Sequence, residues 1–279
     1  RKGVAERMKD ASLPKGIFQP MHVEITSPGN LFLDEVLITP RVRDKTLKTT
    51  ITVAADGEAT LRFRAAVFEA PMFEQRKAWP PKAVAGLEPK DWLLDPADIG
   101  DAAPVARLES LQRVSVRKGR QEVSVTFAGA DLECWSPARP KLYWLAVAAT
   151  DQTGQVLDAS IPVLFGFREI WVDGPDIVLN GMKVNFFGSA HMYYGSYYWV
   201  PVDLACKHRI GLTFDNTQST WWRANAFGDM PPRLADRWGH CFSIDPRSHG
   251  AALHRYLHNR PSFVMWRYRG DGFVNGPHS

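Results

Sequence analysis

Apolar and polar residues alternate with a period of two through much of the first 165 positions. Strand-like runs recur at Leu33–Thr39, Thr46–Ala54, Ala59–Phe68, Leu108–Val116, Gln121–Phe127, Tyr143–Thr150 and Val156–Phe165. Such alternation places successive side chains on opposite faces of a pleated strand, one face for a core and one for water. Turn-forming residues bound the runs, as in Ala55-Asp56-Gly57 and Lys118-Gly119-Arg120. Strands in this rhythm predict an immunoglobulin-like β-sandwich over 31–165. The stretch Arg76–Pro104, rich in proline and carrying Trp79 and Trp92, interrupts the rhythm and reads as a long loop. Upstream, Ile17–Ile25 alternates and stops at Ser27-Pro28-Gly29-Asn30. A lone strand cannot bury its apolar face, so residues 1–30 are expected to complete a sheet whose other strands precede Arg1.

Beyond Phe165 the texture changes. Trp171–Gly174 and Ile177–Gly181 predict a hairpin with an Asn-Gly turn. Val184–Gly188, Leu212–Phe214, Cys241–Ile244 and Ser262–Trp266 read as short buried strands. Pro201–His208, Pro231–Trp238 and His249–His258 have helical spacing between them. Alternating strands and helices predict βαβ units, hence a parallel sheet with right-handed connections.

Composition narrows the function classes. The chain has 279 residues, 45% hydrophobic and 23% charged, an ordinary globular balance with material for about two domains. Its longest apolar run, Leu142–Ala149, is far below the ~20 residues of a membrane helix. Lys and Arg outnumber Asp and Glu by 34 to 30, and they are dispersed. Nucleic acid binding needs a clustered basic footprint, so it is set aside. Cys134, Cys206 and Cys241 lie far apart and form neither a disulfide framework nor a CxxC site. His249, His254 and His258 share a helical stretch, but the glutamate of a zinc-protease pattern is missing, so no metal is expected. Without a Gly-x-Gly-x-x-Gly or Walker loop, no nucleotide cofactor is expected either. The sequence begins at Arg1, so a leader upstream is compatible with it; the compartment and the oligomeric state stay open, a periplasmic or secreted protein included.

Six segments carry a family likeness. They are Gly16–Met21, Trp135–Tyr143, Phe165–Ile170, Asn180-Gly181 with Asn185–His191, Leu234–Gly239 and Asn259–Trp266. In this order they resemble family 2 glycoside hydrolases over nearly the whole chain. The resemblance implies the end of a jelly-roll sugar-binding domain at 1–30 and an immunoglobulin-like sandwich at 31–165. It implies the first part of a catalytic (β/α)8 TIM barrel at 166–279, and a β-linked carbohydrate as substrate.

Glycoside hydrolysis with retention uses two carboxyl groups ~5–5.5 Å apart, one an acid/base and the other a nucleophile. The family's acid/base is a glutamate after asparagine, five residues past the fourth-strand tryptophan. That count from Trp266 reaches Asp271, preceded by Gly270. Asp271 is either the general acid, one methylene short, or half of an Asp-Gly turn in a diverged barrel. The family's nucleophile sits on a later strand. Residues 166–279 fall well short of the ~250 a barrel takes, so the chain alone is expected to be inactive and the activity to belong to a longer parent. The resemblance further implies His191, after the first strand, as a sugar contact, and Asp215 and Asn216 after the second, although the arginine usual near Asn216 is absent. Trp221 and Trp222 are candidates to stack on a pyranose ring, and Asp245, ending the third strand, to orient groups at the site. Local packing is the competing reading of the tryptophans, and a structural or incidental role that of His191. The aromatic run Tyr193, Tyr194, Tyr197, Tyr198 and Trp199 either lines the cleft mouth or covers the sheet edge. The rival function is a non-catalytic carbohydrate-binding or structural relative.

An incomplete barrel exposes apolar surface, so the isolated chain should be poorly soluble. Size-exclusion chromatography and calorimetry check this; a monodisperse, cooperatively melting monomer contradicts it.

Overall fold

The computed structural model describes residues 31–71, 96–184, 187–189, 212–215, 241–244, 255 and 258–266. Its first part contains β1 (Leu31–Arg41), β2 (Thr46–Ala55), β3 (Ala59–Glu69), β4 (Ala106–Glu109), β5 (Val114–Val116), β6 (Gly119–Ala128), β7 (Tyr143–Thr150), β8 (Val156–Ala159) and β9 (Val163–Phe165). They form two antiparallel sheets. One runs β1-β2-β6; the other runs β4-β3-β7-β8, with β5 also on β3 and β9 also on β7. In immunoglobulin lettering these are an A-B-E sheet against a G-F-C sheet with an added edge beside C.

The sequence alternation becomes the core. Val123, Val125 and Phe127 of β6 face Leu61, Phe63, Ala65 and Val67 of β3 and Leu145, Val147 and Ala149 of β7 in one buried cluster. Each large side chain so buried contributes about 1.5–3 kcal/mol. On β1 the inward residues change parity, from Leu31 and Leu33 to Val36 and Ile38. The pairing with β2 shifts between Leu33 and Glu35. This bulge at Asp34 is what keeps both halves of the strand facing inward. Thr49, fully buried among apolar neighbours, satisfies its hydroxyl by donating to the Val125 carbonyl at 3.1 Å. At the start of β7 the Tyr143 phenol reaches back to Glu133, accepting from its N–H at 3.1 Å, in the manner of a tyrosine corner.

Two expected strands are each divided. Within Leu108–Val116, the four residues Ser110–Arg113 oppose only Arg62 and Phe63, because Glu109 pairs with Arg64 and Val114 with Leu61. The excess bows outward and leaves Leu111 98% exposed. Within Val156–Phe165, Pro162 has no N–H for the ladder. There Ser160 instead bonds Val147, its N–H donating to the carbonyl at 2.8 Å and its Oγ accepting from the N–H at 3.1 Å.

The second part opens with β10 (Ile170–Asp173), β11 (Asp176–Leu179) and β12 (Met182–Val184), an antiparallel meander. The β11–β12 turn is Asn180-Gly181, with φ of 51° and 87°. Two consecutive positive φ values make a type I′ turn, whose twist matches that of the strands. Then β13 (Phe187–Ser189), β14 (Leu212–Asp215), β15 (Cys241–Ile244) and β16 (Phe263–Trp266) form a parallel sheet in chain order. The expected strand Val184–Gly188 is thus shared between two sheets. The expected strand at Ile17–Ile25 and the helices at Pro201–His208 and Pro231–Trp238 lie outside the described residues. Of His249–His258, Arg255 and His258 are described, and both are helical.

The parts meet at a dense joint. Asn180 bonds three ways: its N–H to the Glu169 carbonyl at 2.8 Å, its Oδ1 to the Glu169 N–H at 2.9 Å, and its Nδ2 to the Trp135 carbonyl at 2.9 Å. The buried Glu169 carboxylate takes the Arg43 backbone N–H at 3.1 Å and the Arg43 guanidinium at 2.6 and 3.1 Å. Burial alone would push that carboxyl up. The hydrogen bonds from Arg43 and the charges of Arg43 and Arg41 outweigh it and hold Glu169 below the ordinary glutamate value. The segment before β16 lies along β1: Asn259 accepts from Ile38 N–H at 2.7 Å and donates to Val36 carbonyl at 2.8 Å. Gly166 lets Pro261 and Trp135 close in. A Cβ there would fall 2.7 Å from Pro261 Cβ and 2.9 Å from Trp135 Cβ.

Two predictions come from the joint. Gly166→Ala should cost about 1–3 kcal/mol in urea denaturation by overpacking, whereas Gly57→Ala, in open space, should cost far less; equal effects would contradict the close approach. Glu169→Gln should lower stability at neutral pH by about 1–2 kcal/mol. Because the folded carboxyl is depressed, its contribution is complete above the ordinary value near 4.5 and disappears as pH falls through the folded pKa. Melting curves of the two proteins should therefore converge only in acid; a gap independent of pH down to strongly acid buffer counts against the ion pair.

Candidate functional site

In a parallel sheet with strands in chain order, every strand ends at the same rim. Here the last residues are Ser189, Asp215, Ile244 and Trp266. Loops leaving that rim form the ligand sites of parallel α/β proteins. Along the chain, His191 comes two residues after β13, Asn216 and Asp245 directly after β14 and β15, and Asp271 five residues after β16. These four, together with Trp221 and Trp222, lie outside the described residues. Asp215 is described through its backbone, as the last residue of β14 in register with Ser243 of β15. A β-bulge interrupts β15–β16: Phe242 pairs with Phe263 but Ser243 with Met265, leaving Val264 as the extra residue. Such a bulge re-aims the chain just before its rim.

At the other end of β16 lies an open cleft of about 300 Å³ between the sandwich and the meander. Arg41, Arg43, Arg168 and Arg260 line it around Glu169 and Trp171. Two of these cations, Arg41 and Arg43, serve the joint through Glu169. Arg43 is held by Glu169 and lies 4.3 Å above the Trp171 ring centroid. Its pKa is raised, chiefly by the hydrogen bond to Glu169. Arg168 donates to the Arg260 carbonyl at 3.5 Å. The cleft therefore reads as the seam of the joint, and the rim opposite as the candidate site.

Two further ionisable groups lie in the sandwich, Cys134 half-buried and Tyr143 buried. Burial, reinforced by the neighbouring Glu133 charge, pushes the Cys134 thiol up, which keeps it protonated and poorly nucleophilic at neutral pH. Burial likewise pushes the Tyr143 phenol up to about 12. Among the described residues no three His, Cys, Asp or Glu side chains are grouped to hold a metal ion. No helix among them is long and apolar enough to cross a membrane.

Sequence reading did not anticipate the residues that fasten the joint. Glu169 and Arg43 are 126 positions apart, and Asn259 is 221 from Ile38. No local spacing rule connects such pairs. The available hint was a pair of arginines, Arg41 and Arg43, at the end of a strand where a single sheet gives them nothing to neutralise.

No protein-family model matches the sequence, and no curated protein matches it. Solved structures do. A glycosyl hydrolase family 2 member from Bacteroides cellulosilyticus superimposes with a TM-score of 0.50 at 16% identity, over 86% of this chain and 32% of that one. A family 2 β-galacturonidase from Eisenbergiella tayi, bound to galacturonate, gives 0.47 at 18% identity, over 85% and 40%. A β-D-mannosidase from Dictyoglomus thermophilum gives 0.47 at 15% identity, over 85% and 29%. The chain therefore spans 29% to 40% of the length of these structures. It has, along most of its own length, the fold of a segment of a family 2 glycoside hydrolase.

Proposed function

We propose that this chain is part of a glycoside hydrolase of the family 2 type, acting on β-linked glycosides with retention of anomeric configuration. The observation that carries the reading is the order of parts: a β-sandwich, a meander, then four parallel strands in chain order, matching a family 2 fold over 86% of the chain. On this reading residues 1–30 end a sugar-binding jelly roll, 31–165 are the immunoglobulin-like sandwich, and 166–279 begin a (β/α)8 barrel.

Asp271 is then the acid/base. It would protonate the glycosidic oxygen as the leaving group departs, and later deprotonate the water that releases the sugar. The carboxylate that attacks the anomeric carbon is assigned to a strand later than β16, in a protein of the length of the structures it resembles. His191, Asp215 and Asn216 would bond sugar hydroxyls, Asp245 would orient them, and Trp221 and Trp222 would stack on the ring face. Gly270 and Gly272 beside Asp271 provide the backbone latitude by which a shorter carboxylate can reach the same oxygen.

The test is to assay the chain, and the longer protein that contains it, against aryl β-galactosides, β-glucuronides and β-mannosides. The longer protein should turn over at least one with retention, read by NMR of the first-formed anomer. Asp271→Asn should lower its kcat by about 100-fold or more. The chain by itself should be inactive. Saturable sugar binding without turnover, unchanged by Asp271→Asn, would replace the enzyme with a carbohydrate-binding relative.

A further inference from the structure

The outer edge of β1 is where the two parts grip one another. Among the described residues β1 pairs with a strand, β2, on one side, so its other side presents N–H and C=O groups to partners other than a described strand. Side chains from distant segments take that side in sequence. Asp158 of β8 accepts from Leu33 N–H at 2.7 Å. Asn259 takes both Val36 carbonyl and Ile38 N–H with its single carboxamide, at 2.8 and 2.7 Å, as a further strand would. His258 meets the Thr39 hydroxyl at 3.0 Å. One turn of chain earlier, Arg255 pairs with Glu35 of β1 and with Glu122 of β6 at 2.8 Å, and bonds the Thr52 hydroxyl of β2 at 3.3 Å. Arg255 thus spans all three strands of that sheet.

These contacts end four residues before β16 begins. We propose that Asn259, backed by Arg255, is a positioning residue that uses the edge of β1 as a ruler and sets the register at which β16 enters the parallel sheet. The register needs setting. β16 is short and already carries an extra residue at Val264 against β15, and a slip of one residue exchanges the two faces of a strand. Fixing the point of entry to two backbone atoms of a rigid sandwich removes that freedom. The consequence reaches the rim, because the same strand leads to Asp271. This last step rests on the function proposed above; the register step does not.

Hydrogen exchange on the full chain tests the register step. In Asn259→Ala the Ile38 amide should exchange at least about tenfold faster, and so should the amides of Met265 and Trp266, while Val125 and Val147 in the sandwich interior keep their protection. Arg255→Gln, which leaves the carboxamide in place, should give the same pattern more weakly and covers the case in which Asn259→Ala does not fold. Loss of protection at Ile38 alone, with β16 unchanged in both variants, would reduce Asn259 to an edge cap and overturn the proposal. Uniform loss across the sandwich would overturn it as well. In the longer protein, Asn259→Ala should lower kcat by about 100-fold with KM within about twofold, as expected of ~1 Å misplacement. If the unmodified longer protein turns over no glycoside, the glycosidase reading fails alone, and the exchange pattern still decides the clamp.

Discussion

A β-strand with a neighbour on one side has a row of polar backbone groups on the other, and burying them unpaired costs about 1–3 kcal/mol each. Among the described residues β1 is such a strand, and the way its other side is satisfied ties the sandwich to the segments that follow it. Asp158 serves Leu33, Asn259 serves Val36 and Ile38, and Glu169 serves the Arg43 N–H just beyond the strand. These groups come from β8, from the junction and from the segment before β16. Among the described residues, three separate stretches of sequence contribute to a requirement that another sheet could meet with one more strand. Each of them is tied down in the process.

How much of this was legible in the sequence depends on range. Alternation at Thr46–Ala54 or Gln121–Phe127 reports directly on which face is buried, because period and pleat are the same fact. Asn180-Gly181 announces its own turn for an equally local reason. The divided strands were harder. Nothing in Leu108–Val116 shows that Ser110–Arg113 bow out, since the mismatch exists only against Arg62 and Phe63 of β3. Val184–Gly188 is one apolar run whose two ends join different sheets. The candidate site was legible only in outline. Strand ends can be counted, which puts Asp215 at the end of β14, but which groups gather beyond them depends on contacts between distant segments.

The joint and the rim sit at opposite ends of the parallel sheet, and this divides their physical demands. At the joint, the carboxylate is buried and its charge neutralised: Glu169 is 7% exposed and held by Arg43 and, at 3.7 Å, by Arg41, both half exposed at the cleft. A carboxylate fixed in this way stays ionised and has no proton to give. A general acid needs the reverse, a carboxyl free to keep its proton near neutral pH. Glu169 is thereby suited to hold the joint rather than to give up a proton, and the acid of the proposed function is sought at the rim instead.

The turn at Asn180-Gly181 has a consequence for chemical ageing. In an open chain, an asparagine before glycine loses ammonia readily, because the following amide nitrogen reaches the side-chain carbonyl and closes a succinimide ring. Here that carboxamide is held on both sides, its oxygen by the Glu169 N–H and its nitrogen by the Trp135 carbonyl. Cyclisation would require both bonds to break and the joint to loosen first. The dipeptide that makes this turn is thus also shielded, by the contacts it makes, from the reaction to which its sequence disposes it.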